Sequence, residues 1–214
     1  MARLLTLVAT NCVVLSMGVA PAAPIPVAPP PREVVYYFPT TIGAKWTYRY
    51  SDGETATFEV TSAHRDGNAW VIGTSELDAA GRASMYQTVE VSARGVFRLE
   101  SVVRTSTTDG RGGTARTQEM VPDVPPVCLL KLPASPGETL AKLGPATYKT
   151  GREEVVTVPA GVFKAVRVDY EQAGVGGGPA VRGRTWYAPG VGAVKWVLDG
   201  GSESVMKTYT AGKR

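Results

Sequence analysis

Lys45-Trp46-Thr47-Tyr48-Arg49-Tyr50-Ser51-Asp52-Gly53-Glu54-Thr55-Ala56-Thr57-Phe58-Glu59-Val60 is the stretch on which the fold reading turns. Trp46, Tyr48 and Tyr50 alternate with Lys45, Thr47 and Arg49, the period of a strand with one face buried. Asp52-Gly53 then offers a hairpin turn, because both residues tolerate positive φ. Ala56, Phe58 and Val60 resume the alternation on the far side. A helix would need its apolar residues three and four apart, and here they stand two apart.

The same grammar extends outward. Asp66-Gly67 leads into Trp70-Val71-Ile72, and Met85–Val91, Gly95–Arg104 and Thr114–Val121 read as further strands. Asp109-Gly110, with Gly112 and Gly113, marks the turn between the last two. From Val121 to Pro136 five prolines surround Val127-Cys128-Leu129-Leu130, which reads as a crossover packing its apolar middle on the core. Strands resume at Thr147, turn at Pro159-Ala160-Gly161, return from Phe163 to Glu171, and close with Thr185–Tyr187, Ala193–Leu198 and Ser204–Thr210. The best helix candidate, Gly137–Leu143, amounts to one or two turns. The expected fold is therefore all-β: a curved antiparallel sheet forming an incomplete barrel.

One short pattern occurs twice. Phe38-Pro39, Gly43 and Trp46 are spaced as Leu132-Pro133, Gly137 and Leu140, 94 residues further on. Proline ends a loop, glycine makes a bend and the apolar residue opens a strand, which suggests one sheet with two similar halves.

Ahead of this domain, residues 1–22 carry Arg3, an apolar run from Leu4 to Ala20 and an Ala20-Pro21-Ala22 cleavage site. These are the three parts of a secretory signal peptide. Residues 23–33 read as a proline-rich tether: six of the eleven residues from Pro21 to Pro31 are proline, which favours an extended spacer. Residues 34–214 then form a single domain. The chain is expected to be exported, periplasmic or extracellular, with no transmembrane span after cleavage. Cys12 lies in the leader, so Cys128 is the one thiol of the expected mature chain and no internal disulfide can form.

At 43% hydrophobic and 20% charged, the 214 residues can build a core. A formal charge of +4, evenly spread, gives no clustered basic face and argues against nucleic acid. His64 is the only histidine, which removes paired-histidine catalysis and histidine metal clusters. It reads as an exposed residue beside the Asp66-Gly67 turn. Cys128, among Val127, Leu129 and Leu130, reads as an inert packing residue. Ser204-Val205-Met206-Lys207 and Lys149-Thr150-Gly151 match fragments of penicillin-recognising enzymes, but in the wrong order and on strands. Asp169 and Glu171 share a strand face, where solvated charges are the ordinary outcome. No catalytic residue, metal site or cofactor is expected.

Three motifs carry a family resemblance. Phe38-Pro39 through Trp46-Thr47-Tyr48, Val156–Phe163 around Pro159-Ala160-Gly161, and Trp186-Tyr187-Ala188-Pro189-Gly190-Val191-Gly192-Ala193-Val194-Lys195 together resemble the TapB-like exported bacterial domains of unknown function. Leu140 stands where that pattern more often has an aromatic. The resemblance implies export and an architecture similar to the lipoprotein-carrier folds. It implies no reaction.

The leading functional reading is a noncatalytic envelope domain binding an apolar ligand such as a lipid. Its candidate surface is the concave face, drawn from Trp46, Tyr48, Tyr50, Phe58, Trp70, Trp186 and Trp196. The alternative partner is an envelope protein, with this chain a structural accessory docked through a sheet edge. A hydrolase is the least favoured reading.

Overall fold

The computed structural model describes residues 34–108, 114–143, 146–174 and 178–213. The expected signal peptide, the tether and the Asp109-Gly110 turn lie outside them. Twelve antiparallel strands follow one another: β1 (Lys45–Tyr50), β2 (Thr55–Asp66), β3 (Ala69–Leu77), β4 (Ala83–Ser92), β5 (Gly95–Thr108), β6 (Thr114–Lys131), β7 (Thr139–Leu143), β8 (Ala146–Val158), β9 (Gly161–Gln172), β10 (Val181–Ala188), β11 (Gly192–Leu198) and β12 (Glu203–Thr210). No helix occurs among the described residues.

Among the described residues, each strand pairs with its neighbours in sequence, except that β6 and β7 do not pair and β1 pairs with β12 as well as with β2. The sheet order is β6-β5-β4-β3-β2-β1-β12-β11-β10-β9-β8-β7. Its two ends, β6 and β7, touch without a ladder between them among the described residues. The barrel is thus nearly closed, with one seam. Lys131 of β6 reaches Glu138, just ahead of β7, across that seam.

The repeated opening motif is structural. Gly43 and Gly137 both have positive φ, 80° and 86°. Gly43 N–H donates to Val60 O of the following strand, and Gly137 N–H donates likewise to Thr150 O. Val60 N–H then returns to Ala44 O, as Thr150 N–H returns to Glu138 O. Register slips follow at Val60/Ser62 and at Thr150/Glu153. β1–β6 and β7–β12 are therefore two six-stranded halves built alike. The halves join by a ladder at β12/β1 and meet at the open seam at β6/β7.

Val60 and Thr150 occupy matching, fully buried positions, but Thr150 Oγ1 has no hydrogen-bond partner. An unpaired buried hydroxyl costs free energy that a methyl group does not. Thr150→Val should raise stability by about 1 kcal/mol, read as a higher urea midpoint at unchanged slope. A lower midpoint would show that the hydroxyl has a partner in solution.

Two sequence expectations are corrected here. Val121–Pro136 is no crossover as far as Lys131, because β6 runs through it. Pro122 opposes Glu100 and Val127 opposes Arg98, so Asp123 to Pro126 form a wide bulge opposite Leu99. Proline is tolerated because β6 is an end strand, with a ladder on one side only. The apolar middle still packs inward: Val127 and Leu130 are buried. Gly137–Leu143 is not helical either. Thr139–Leu143 forms β7, tied to β8 by Thr139↔Lys149 and Leu143↔Ala146. Gly161 has the positive φ expected of the β8–β9 turn, at 144°.

The core lies inside the barrel. Ile72, Val89, Val91, Val96, Leu130 and Met206 are fully buried, and a second layer joins Phe38, Trp46 and Phe58. Trp46 meets the Phe38 ring edge-on at 6.0 Å and stacks on Phe58 at 6.2 Å. The interior is filled by its own side chains at this end and hollow towards the other.

Candidate ligand cavity

The hollow has a volume of about 390 Å³ and is bounded by β1, β2, β4, β5, β6, β8, β10, β11 and β12, with Phe38 at its base. Of the seven aromatic residues expected on a concave binding face, Trp46, Tyr48, Tyr50, Phe58 and Trp196 line it. Period-two alternation on β1 brings three of them to one face, and the Trp46↔Phe58 register sets β2 beside them. A second hollow of about 240 Å³ shares Leu129, Tyr148, Thr185, Tyr187 and Trp196 with the first.

Trp70 and Trp186 are placed elsewhere. Trp70 lies near the start of β3, beneath the Arg65 guanidinium, whose Cζ is 4.5 Å from the ring centroid. Trp186 stands between Thr185 and Tyr187, both of which face the cavity, so its indole lies on the opposite face of β10. There Nε1–H donates to Glu154 Oε2 at 2.9 Å, and the Lys195 ammonium is 5.8 Å from the ring centroid. The sequence shows Trp186 and Tyr187 side by side but not which of the two faces inward.

Sequence reading missed Tyr86, Tyr148, Tyr187 and Arg98, which complete the walls. A signal existed for Arg98: it follows Val96 by two residues, and Val96 and Arg98 pair with the buried Val91 and Val89. A charge in an apolar row requires a partner. The partner is Asp123, in the β6 bulge, which accepts from Arg98 Nε at 2.7 Å and from Nη2 at 3.2 Å. Both side chains are less than a quarter exposed. Burial acts to lower the pKa of the Arg98 guanidinium, and the bonds to Asp123 and its charge outweigh that and hold it above its usual value.

Burial pushes the Tyr48 and Tyr187 phenols far above their usual range, and Tyr86 and Tyr148 follow the same direction for the same reason. All four are therefore neutral at physiological pH. Tyr48 O–H donates to Ala193 O at 2.5 Å. Among the described residues the hydroxyls of Tyr86, Tyr148 and Tyr187 donate to no protein group, which leaves them available to a ligand.

The residues weighed for chemistry stand apart from the cavity, except Ser204. His64 is exposed near the end of β2. Asp169 is held by Arg167 Nη2 at 3.2 Å, and Glu171 by Arg182 Nη2 at 2.8 Å. Ser204 and Lys207 sit on β12, the serine in the cavity wall and the lysine exposed. Burial raises the Cys128 thiol, which keeps it protonated. No cluster of metal-ligating side chains occurs among the described residues.

No family model matches the chain, and no curated protein matches it. Two solved structures do. One is described as an exported protein with a YmcC-like fold, from Bacteroides fragilis, at 18% identity and a TM-score of 0.51. The match covers 82% of this chain and 99% of that one. The other is described as a lipoprotein from Parabacteroides distasonis, at 14% identity and a TM-score of 0.44, over 84% of this chain and all of that one. The first likeness shows a shared fold. Among the described residues, no helix is long and apolar enough to cross a membrane.

Proposed function

We propose that the protein is an exported, noncatalytic domain of the bacterial envelope that holds an apolar ligand such as a lipid inside its barrel. The cavity carries this reading. Its volume of about 390 Å³ falls in the range of small-molecule sites, and its walls are aromatic with a few converging polar groups. Affinity would come mainly from apolar burial, at roughly 25 cal/mol per Å². Export is supported by the leader-like residues 1–22 and by the export ascribed to the Bacteroides fragilis protein of like fold. The Trp186–Lys195 and Val156–Phe163 motifs support a TapB-like affiliation. A noncatalytic role fits the pairing of Asp169 and Glu171 with arginines on the outer face.

Native mass spectrometry of the delipidated protein, titrated with envelope lipids and fatty alcohols, tests the reading. A one-to-one complex at tens of micromolar or below, lost in Trp196→Ala, is the expected result. No complex, together with no uptake of a hydrophobic dye, would overturn it. The accessory reading would then gain, and its docking edge would be β6, whose outer side has no ladder among the described residues and whose Val124 is 87% exposed.

A further inference from the structure

The cavity's charges are already spent, and that selects among apolar ligands. Among the described residues, two charged ones stand in its walls, Arg98 and Lys195. Arg98 is held by Asp123 through two bonds, from Nε and from Nη2. Lys195 is drawn to Glu203, 2.6 Å away, and leans over the Trp186 ring on the other face of the sheet. The second hollow has no charged residue in its walls among the described residues. What remains to meet a ligand headgroup is neutral, with the hydroxyls of Tyr86, Tyr148 and Tyr187 and the amide of Gln87 among it.

From this arrangement we infer that the site takes a neutral amphiphile, an apolar chain ending in a hydroxyl, ester or amide, and discriminates against fatty acids, other anions and cations. The inference rests on the ligand-binding reading above. An apolar chain lies against Phe38, Trp46, Phe58 and Leu129. The headgroup exchanges hydrogen bonds with tyrosine hydroxyls, which both donate and accept. A carboxylate brought to the same place must shed its water and finds the guanidinium in the lining, that of Arg98, already matched. Competing with Asp123 for Arg98 would leave one of two carboxylates unpaired in a largely buried site. An ammonium headgroup meets no carboxylate in the walls among the described residues and fares no better.

The pairing also defines how the preference could be reversed. Asp123→Asn keeps the shape of the side chain and removes its charge, so Arg98 is released to bind an anion. Neutral selectivity therefore resides in Asp123, a residue that does not itself line the cavity.

The test compares 1-decanol, decanoate and decylammonium at about pH 8, where the last two are fully charged. Binding to the delipidated protein is read by native mass spectrometry and by tryptophan fluorescence. Decanol should bind about tenfold more tightly than either ion, or better. In Asp123→Asn the decanoate affinity should rise by about tenfold while that of decanol changes little. Decanoate binding the wild-type protein as tightly as decanol would overturn the inference and leave the ligand-binding reading intact. Failure of all three to bind would overturn both. The wild-type comparison stands by itself should Asp123→Asn not fold.

Discussion

Gly95→Ala should be among the most damaging single substitutions in this chain, lowering stability by about 3 kcal/mol or more. Gly95 opens β5 with a φ of 138°, a conformation that a residue with a Cβ rarely adopts. Its added methyl would also lie 1.9 Å from the carbonyl oxygen of Leu130 on β6. That oxygen is backbone, so no rotamer change relieves the clash. The strands would have to part where Val96↔Leu130 and Gly95↔Lys131 fasten the end strand to the barrel. Gly53→Ala is the control. Its φ is 90°, but no other atom lies within 4 Å of the built position, so the conformational cost of about 1 kcal/mol stands alone. Urea denaturation of the two variants should separate their midpoints clearly. Equal losses would mean that Gly95 and Leu130 do not approach as described.

Trp46→Ala should cost about 3 to 4 kcal/mol. The indole is 5% exposed and is the hinge between the filled and hollow parts of the interior, with Phe38 on its edge and Phe58 on its face. Removing it leaves a void that these rings cannot close, because each is fixed on its own segment. Tyr50→Ala, on the same strand face but only half-buried, should cost under about 1 kcal/mol. Thermal or urea unfolding of the two variants measures the difference. A loss for Trp46→Ala as small as that for Tyr50→Ala would show that no packed layer forms at Phe38.

Most of the strand content was legible because alternation is local. Trp46-Thr47-Tyr48 and Phe58-Glu59-Val60 declare their faces within a few residues, and Asp52-Gly53 joins them by a turn with its own chemistry. The two readings that failed lie where local rules conflict. Prolines forbid a central strand, but β6 is an end strand, and whether a strand is central or terminal is a property of the whole sheet. Thr139–Leu143 is too short to show a period, and its strand character comes from β8 alongside it.

The sequence by itself determined the all-β class, the antiparallel hairpins, the doubled opening motif at Gly43 and Gly137, and the aromatic row of β1. Each depends on spacings of two to a few residues, or on glycine's freedom at positive φ, and needs no distant partner. Tertiary structure alone decided what the barrel encloses. Arg98 and Asp123 are 25 residues apart and meet only because the β6 bulge turns the carboxylate inward. Tyr86, Tyr148 and Tyr187 come from three separate hairpins. The seam at β6/β7 exists because two similar halves pair at one junction and not at the other. Closure, cavity and charge balance arise from contacts between residues far apart in the chain, and no local pattern encodes such contacts.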